Sequence, residues 1–556
     1  MRCTVPLIPL IAVLAAEAIQ GSEPALIPQP LAVTPVTGSP VALVEGLPVA
    51  VIGADAALAD DLCARCAAEL HVHLARAPSA SDSGIVLRID PALQASGAAW
   101  AAEEAYALTS GGRQITISAR TPHGLFNGMQ TLLQLIVRDT AGGFQVPALE
   151  VRDAPRFHWR GLMLDCGRHF FTVAEVCRFI DQMASYKFNT FHWHLTEDQG
   201  WRIEVPGYPK LTSVGAWRAE SPRMGEAGKG DGVPYGGFYT QEDIRTVVQH
   251  ASARFITVIP ELEMQGHSSA AIASYPELGN FDIPGWTTPV VATRFGVNRH
   301  TLAPREETFH MIAAVFDAVL PLFPGAYVHI GGDESPITEW HASPFAQQVM
   351  QEHHLADEHQ LQSWFIQRVE QLLTQRGKRL IGWDEIQEGG LSPTATMMVW
   401  RNWKWATAAL AHGNDVVMSP TTHTYFDYSQ GPHPDSPLFQ TIGGNLPLEK
   451  VYTFEPIPEG TASERIMQVL GCQGQLWSEY IWSMPKLEYM AWPRACALAE
   501  VAWSAPAARA WPSFTQRLAG QAPLLERMGI DYRTNDGSPA LPERSLALTP
   551  HAPASR

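Results

Sequence analysis

Cysteine is scarce, with seven in 556 residues. That excludes a disulfide-built scaffold, in which cysteines crowd a short secreted chain. Cys63 and Cys66 form a C-x-x-C, but the pair lies mid-pattern in a helical stretch between Leu58 and Leu70. A redox pair needs a preceding strand and a helix N-terminus, and a zinc site needs a second pair. Neither is present, so the pair reads as helix packing. Positive charge is also short: 39 Lys and Arg face 56 Asp and Glu, a formal net charge of -17. No basic run offsets this, and such a surface repels nucleic acid and anionic membrane. Beyond the N-terminus no apolar run is long enough to span a bilayer. No Gly-x-Gly-x-x-Gly follows the first strand of the main domain, which removes the usual dinucleotide-binding signature.

What is present is an ordinary globular balance, 46% apolar and 17% charged, on a chain too long for one core. Met1-Arg2, the apolar run Val5 to Ala16 and small residues at Ala18, Gly21 and Ser22 read as an export signal over residues 1–21. A secreted or periplasmic protein is expected. Residues 22–152 read as a small α+β domain. Its strands are Val49 to Gly53, Gly84 to Asp90 and Gln114 to Ala119, and its helices are Ala57 to Ala75 and Thr121 to Arg138.

From 153 to 505 the rhythm changes. Short apolar strands end at Cys166, Leu195, Glu261, Ile330, Trp383, Trp400, Ser419 and Leu476. Amphipathic stretches separate most of them: Val173 to Lys187, Gln241 to Arg254, Arg305 to Leu322, Glu358 to Arg376 and Lys486 to Ala502. Eight strands alternating with helices predict a (β/α)8 TIM barrel. Residues 506–556 read as an extension that finishes the last helix and then loses order.

The strand ends are unusually polar. They carry Asp165 and Arg168; His194, Glu197 and Asp198; Glu261, Glu263 and His267; Asp333 and Glu334. Further along come Trp383, Asp384 and Glu385; Trp400 and Arg401; Tyr425 and Asp427; Trp477 and Glu479. Reacting groups of such barrels sit at these ends. Indole faces suit a sugar ring and carboxylates suit its hydroxyls. Asp333-Glu334 follows Gly331-Gly332, which lets the backbone turn sharply toward a ligand. Two close carboxylates drive their pKa values apart, so one stays protonated as a general acid. A helix N-terminus also accounts for adjacent acids, the three tryptophans also suit a core, and Arg168 also suits an ion pair with Asp165. His192-x-His194 raises a metal site, but alternate strand residues suit a barrel interior equally, and no metal or cofactor is expected.

The string His329-Ile330-Gly331-Gly332-Asp333-Glu334 resembles the signature of family 20 glycoside hydrolases, the β-N-acetylhexosaminidases. Arg160 to Asp165 with Arg168, Phe191 to Arg202, Ile259 to His267, Gly382 to Glu385 and Gln475 to Glu479 resemble further family segments, in order, over residues 155 to 505. The family commonly has two aspartates where this chain has Glu197-Asp198, and proline where it has Gln265.

The resemblance implies a retaining exo-enzyme that removes a terminal β-linked N-acetylhexosamine from an oligosaccharide or glycoconjugate. The substrate's own acetamido oxygen attacks C1 and forms an oxazolinium. By the same resemblance Glu334 is the acid and base, Asp333 orients the acetamido group, and Tyr425 donates to its oxygen. Trp383, Trp400 and Trp477 wall its methyl. Arg168, Asp427 and Glu479 bind ring hydroxyls. His267, with Asp198 or Glu197 behind it, tunes Glu334. A non-catalytic sugar-binding protein on the same fold lacks the acid, and a metal-dependent barrel hydrolase loses activity to a chelator.

Overall fold

A computed structural model describes residues 24–94, 98–223, 228–433 and 439–541. The leader expected over residues 1–21 lies outside the described residues. The chain forms two compact units. One comprises residues up to Ala154 together with Ala510–Arg527, the other Pro155–Arg509 with the remaining C-terminal residues.

In the first unit a seven-stranded sheet carries Pro48–Ile52, Gly84–Ile89 and Gln114–Ala119 side by side in parallel. The apolar runs expected as strands are these three. Helix Ala57–Leu70 ends with His71 in the left-handed region at φ 57°, so it stops short of the expected Ala75, and a separate strand follows at Ala75–Ala77. Helix Pro122–Leu135 starts where Thr121 accepts a hydrogen bond from Gly124 N, with proline at its first position. The 17-residue helix Trp511–Arg527 groups with this unit. It is a helix of its own, where the sequence had suggested only the end of the preceding one.

The second unit is a closed eight-stranded barrel. Its strands are β1 (Trp159–Asp165), β2 (Thr190–His194), β3 (Thr257–Glu261), β4 (Tyr327–His329), β5 (Arg379–Trp383), β6 (Thr396–Val399), β7 (Val416–Met418) and β8 (Val469–Leu476). All neighbours pair in parallel, and β8 closes against β1 from Trp159↔Gly471 to Leu164↔Leu476. Every residue of β1 is buried, as continuous apolar strands of a doubly covered parallel sheet require.

Helices α1 (Val173–Ser185), α2 (Gln241–Ser252), α3 (Glu306–Val319), α4 (Glu358–Thr374) and α5 (Trp403–His412) cover the barrel. α1 and α2 each begin with a capping box, Thr172 with Glu175 and Thr240 with Asp243. α5 follows Asn402, whose side chain accepts from Lys404 N, and adds a helix to those the sequence pattern predicts. The expected helix Lys486 to Ala502 is two helices, Met484–Ala491 and Arg494–Trp503. Pro493 separates them, since proline has no N–H for the helical ladder. Among the described residues no helix is long and apolar enough to cross a membrane.

Candidate active site

Strand register places the site. Asp165, His194, Glu261 and His329 are successive partners across β1, β2, β3 and β4, so they form one layer near the strand ends. Glu261 is the hub of that layer. Its carboxylate lies 2.5 Å from His194 Nδ1, 2.9 Å from His192 Nε2 and 2.9 Å from His329 Nδ1. It also accepts the Trp383 indole N–H at 2.8 Å. All four of these partners and Glu261 itself are buried. Burial would raise the Glu261 pKa, but the imidazoles hold it well below the carboxylate range. The His192-x-His194 pair therefore belongs to a packed polar floor under Trp383. His192, Glu261 and His329 could together reach a metal ion. Both imidazoles contact the Glu261 carboxylate, which also accepts the Trp383 N–H.

Above the floor stands an aromatic wall. Trp383 meets Trp477 with ring centroids 5.7 Å apart, Tyr425 meets Trp477 at 6.5 Å, and Trp400 stacks on Tyr425 at 6.2 Å. Trp400 is held by the acids after β5. Asp384 accepts its backbone N–H at 2.9 Å, and Glu385 accepts its indole N–H at 2.8 Å. Burial first, then Asp333 and Asp384, push Glu385 up to about 8.

Asp333 and Glu334 leave β4 through Gly331 at φ 64° and Gly332 at φ 89°. A Cβ on Gly331 would collide with the Glu263 carboxyl, so glycine is required there. The two acids occupy unlike environments: the Asp333 side chain is 12% exposed and that of Glu334 42%. Burial lifts Asp333 to about 6 despite the opposing pull of His267. Interaction with His267 keeps Glu334 below its ordinary value. His267 Nε2 sits 3.8 Å from Asp333 Oδ2 and 3.7 Å from Glu334 Oε2.

Behind His267 the structure separates the two candidate acids. Glu197 Oε1 lies 2.8 Å from His267 Nδ1, while Asp198 Oδ2 lies at 3.4 Å. Asp198 is committed elsewhere, accepting from Ser269 N at 2.8 Å and Asn298 Nδ2 at 3.0 Å. Glu197, one methylene longer than aspartate, is thus the nearer support, and Asp198 an outer one. Burial would lower the His267 pKa, but Glu197, Asp198 and Glu334 together raise it well above the ordinary value.

Arg168 reaches Asp165 at 3.3 Å and Glu197 at 3.2 Å, and its guanidinium lies 5.0 Å over the Trp477 ring. It does pair with Asp165, yet its Nε remains without a protein partner. Asp427 Oδ1, Glu479 Oε2 and Asp333 Oδ1 are likewise buried and unpartnered. Burial raises the pKa of both Asp427 and Glu479. Buried polar atoms cost free energy unless a partner meets them, and these four have none within the protein. The strand ends singled out in the sequence converge at this mouth, where Glu261, Glu263 and Glu385, which the family resemblance leaves without roles, join them. Only the strand register reveals that Glu261 sits under Trp383.

A closed barrel with an aromatic box and two acids in unlike settings at one mouth is the arrangement a carbohydrate pocket needs. The family profile "Glycosyl hydrolase family 20, catalytic domain" matches residues 157–506, and the family's domain 2 matches residues 23–154. The chain belongs to glycosyl hydrolase family 20. A β-hexosaminidase of Porphyromonas gingivalis is 43% identical over 483 residues, covering 85% of this chain and 59% of its own length. One from Akkermansia muciniphila is 34% identical, covering 78% of this chain and 84% of its own. The chain thus spans about three fifths of the Porphyromonas relative. Among solved structures, the exo-β-N-acetylglucosaminidase of Vibrio harveyi in complex with N-acetylglucosamine superposes with a TM-score of 0.80 at 34% identity. That match covers 92% of this chain and 78% of that one. A product complex of Streptomyces plicatus β-hexosaminidase gives a TM-score of 0.77 at 31% identity, covering 92% and 97%.

Proposed function

We propose that the protein is a retaining exo-β-N-acetylhexosaminidase acting by substrate-assisted catalysis. The carrying observation is the unlike setting of two neighbouring acids. Glu334 is open to water and linked to His267. Asp333 is buried beside the aromatic box, with one oxygen free to accept an N–H.

The chemistry then runs in two displacements. The acetamido oxygen attacks C1 while the C1–O bond to the leaving group breaks. Glu334, protonated for this step and facing His267 Nε2 at 3.7 Å, gives its proton to the departing oxygen. Asp333 accepts the acetamido N–H and balances the positive charge of the oxazolinium. Tyr425 steadies the acetamido oxygen, and Trp383, Trp400 and Trp477 hold its methyl so that the oxygen stays beneath C1. Water then adds to C1, gives its proton to Glu334 and opens the oxazolinium, with net retention of configuration. Arg168, Asp427 and Glu479 bind the ring hydroxyls and confine the site to a terminal sugar.

The substrate is an oligosaccharide or glycoconjugate ending in β-linked N-acetylhexosamine, and the N-terminal segment carries the protein to a secreted or periplasmic location. The test is a pair of chromogenic substrates. The β-N-acetylglucosaminide is cleaved and the matching β-glucoside is not; equal cleavage refutes the reading. The mass of the mature N-terminus tests the export signal.

A further inference from the structure

Trp400 is the exception in the aromatic wall. Trp383, Tyr425 and Trp477 are buried, whereas Trp400, which follows β6, is only half-buried. Close packing on all sides holds a buried ring in one rotamer. A ring with one face uncovered needs another anchor, because exposed side chains exchange rotamers quickly. Two contacts supply it. Trp400 stacks on Tyr425 with centroids 6.2 Å apart, and its indole N–H donates to Glu385 Oε2 at 2.8 Å.

The fold holds Glu385 firmly enough to act as that anchor. It lies in the short turn Asp384–Gln387 that directly follows Trp383, and its side chain is buried. The next residue, Ile386, is wedged against the turn that presents Asp333 and Glu334. A Cβ added to Gly332 would lie 2.9 Å from Ile386 Cγ2, and one added to Gly382 would lie 2.8 Å from the same atom. Asp384 holds the backbone beside the indole, accepting Trp400 N at 2.9 Å and Arg401 N at 3.0 Å and pairing with the Arg401 guanidinium. One short turn therefore follows the first wall ring, Trp383, and grips the second, Trp400.

We propose that Glu385 is a positioning residue that sets specificity: by anchoring the Trp400 indole it fixes the depth of the acetamido box and limits the accepted N-acyl group to acetyl. The charged groups that face it are Asp333 from the end of β4, Asp384 beside it, and Arg401, whose Nε lies 3.6 Å from Glu385 Oε1. Burial and the two acids push the Glu385 carboxyl up to about 8, so it is neutral where Asp333 ionises, at about 6. A neutral carboxyl still accepts an indole N–H through its carbonyl oxygen, and it places no second negative charge beside Asp333.

The inference rests on the proposed hexosaminidase activity, so the test begins with wild-type turnover of p-nitrophenyl β-N-acetylglucosaminide. A wild-type protein that leaves this substrate intact overturns the functional reading. In an active enzyme the readout is the ratio of kcat/KM for this substrate to that for its N-propionyl analogue. One extra methylene in a closed apolar pocket costs about tenfold or more, so the wild type favours acetyl by at least that factor. Glu385→Ala releases the indole and narrows the ratio by about fivefold or more. Glu385→Gln restores an uncharged acceptor and keeps the ratio within about twofold of wild type. A wild type that takes both substrates equally, an alanine variant that loses rate on both in proportion, or a glutamine variant as unselective as the alanine one overturns the anchoring role and leaves the functional reading standing. A second readout tests the neutral state. The acid limb of kcat/KM stays near pH 6 in Glu385→Gln, because the side chain replaced carries no charge there. A limb lowered by about one unit or more shows that an ionised Glu385 had been raising the Asp333 pKa, and overturns that part of the account.

Discussion

Replacing Asp333 by asparagine trades activity for stability, and the size of the trade follows from where the carboxyl sits. Burial raises its pKa from the ordinary 3.8 to about 6. The native state therefore holds a proton more tightly than the unfolded chain does. Below about pH 3.8 both states are protonated and the carboxyl costs nothing. Between the two values the unfolded chain releases its proton first, so stability falls as pH rises. Above about pH 6 the penalty is complete, at about 3 kcal/mol for a shift of roughly two units. Asparagine has nearly the same shape and no charge, so it removes that penalty. For a unit of roughly 380 residues with an unfolding entropy of about 2.1 cal/mol/K per residue, about 3 kcal/mol corresponds to about 4 °C in Tm. Meanwhile the oxazolinium loses its counter-charge, at a cost of about 10²–10³ in kcat/KM. Calorimetry of both proteins across pH is the assay. The account expects the variant's Tm to exceed wild type by a few degrees near neutrality and to converge with it near pH 4. A variant less stable than wild type at pH 7, or a gap independent of pH, refutes the reasoning.

Other consequences are open to direct measurement. Because Asp333 acts ionised and titrates at about 6, kcat/KM of the wild type falls as pH drops through that value, and the limb is absent from the residual activity of Asp333→Asn. Glu334→Gln leaves a p-nitrophenolate leaving group far less affected than a sugar leaving group, since only the latter needs the proton; equal losses on both refute the acid role. Trp477→Ala opens the acetamido box and removes a ring packed on Trp383, Tyr425 and Arg168. It lowers stability by about 3–5 kcal/mol in a denaturant titration and raises KM. A chelator leaves wild-type activity unchanged, and loss restored by a metal ion contradicts the mechanism.

The barrel is legible in the sequence because its strands are short, largely buried and mostly apolar, a pattern that survives without any long-range information. The site is legible because strand ends of such a barrel converge whatever the loops do. Other features depend on register and reach, which no local pattern encodes. Glu261 reads as one more strand-end acid, and only the pairing of β2, β3 and β4 puts three imidazoles and an indole around it. Glu197 and Asp198 are adjacent in the chain, and one methylene decides which of them reaches His267. Pro493 breaks the helix, yet the apolar periodicity runs on through both sides of it and predicts one continuous element. The helix Trp511–Arg527 lies in a Pro- and Ala-rich stretch whose composition masked an amphipathic pattern completed by packing in the first unit.

The central claim is that the substrate's acetamido oxygen, and no protein group, attacks C1. Successive fluorination of the acetyl methyl weakens that oxygen as a nucleophile and changes the shape of the substrate little. The decisive measurement is kcat/KM for p-nitrophenyl β-N-acetylglucosaminide and its mono-, di- and trifluoroacetyl analogues. The account predicts a steep, steady fall in rate with each fluorine. A rate indifferent to fluorination would contradict it and return the nucleophile to the protein.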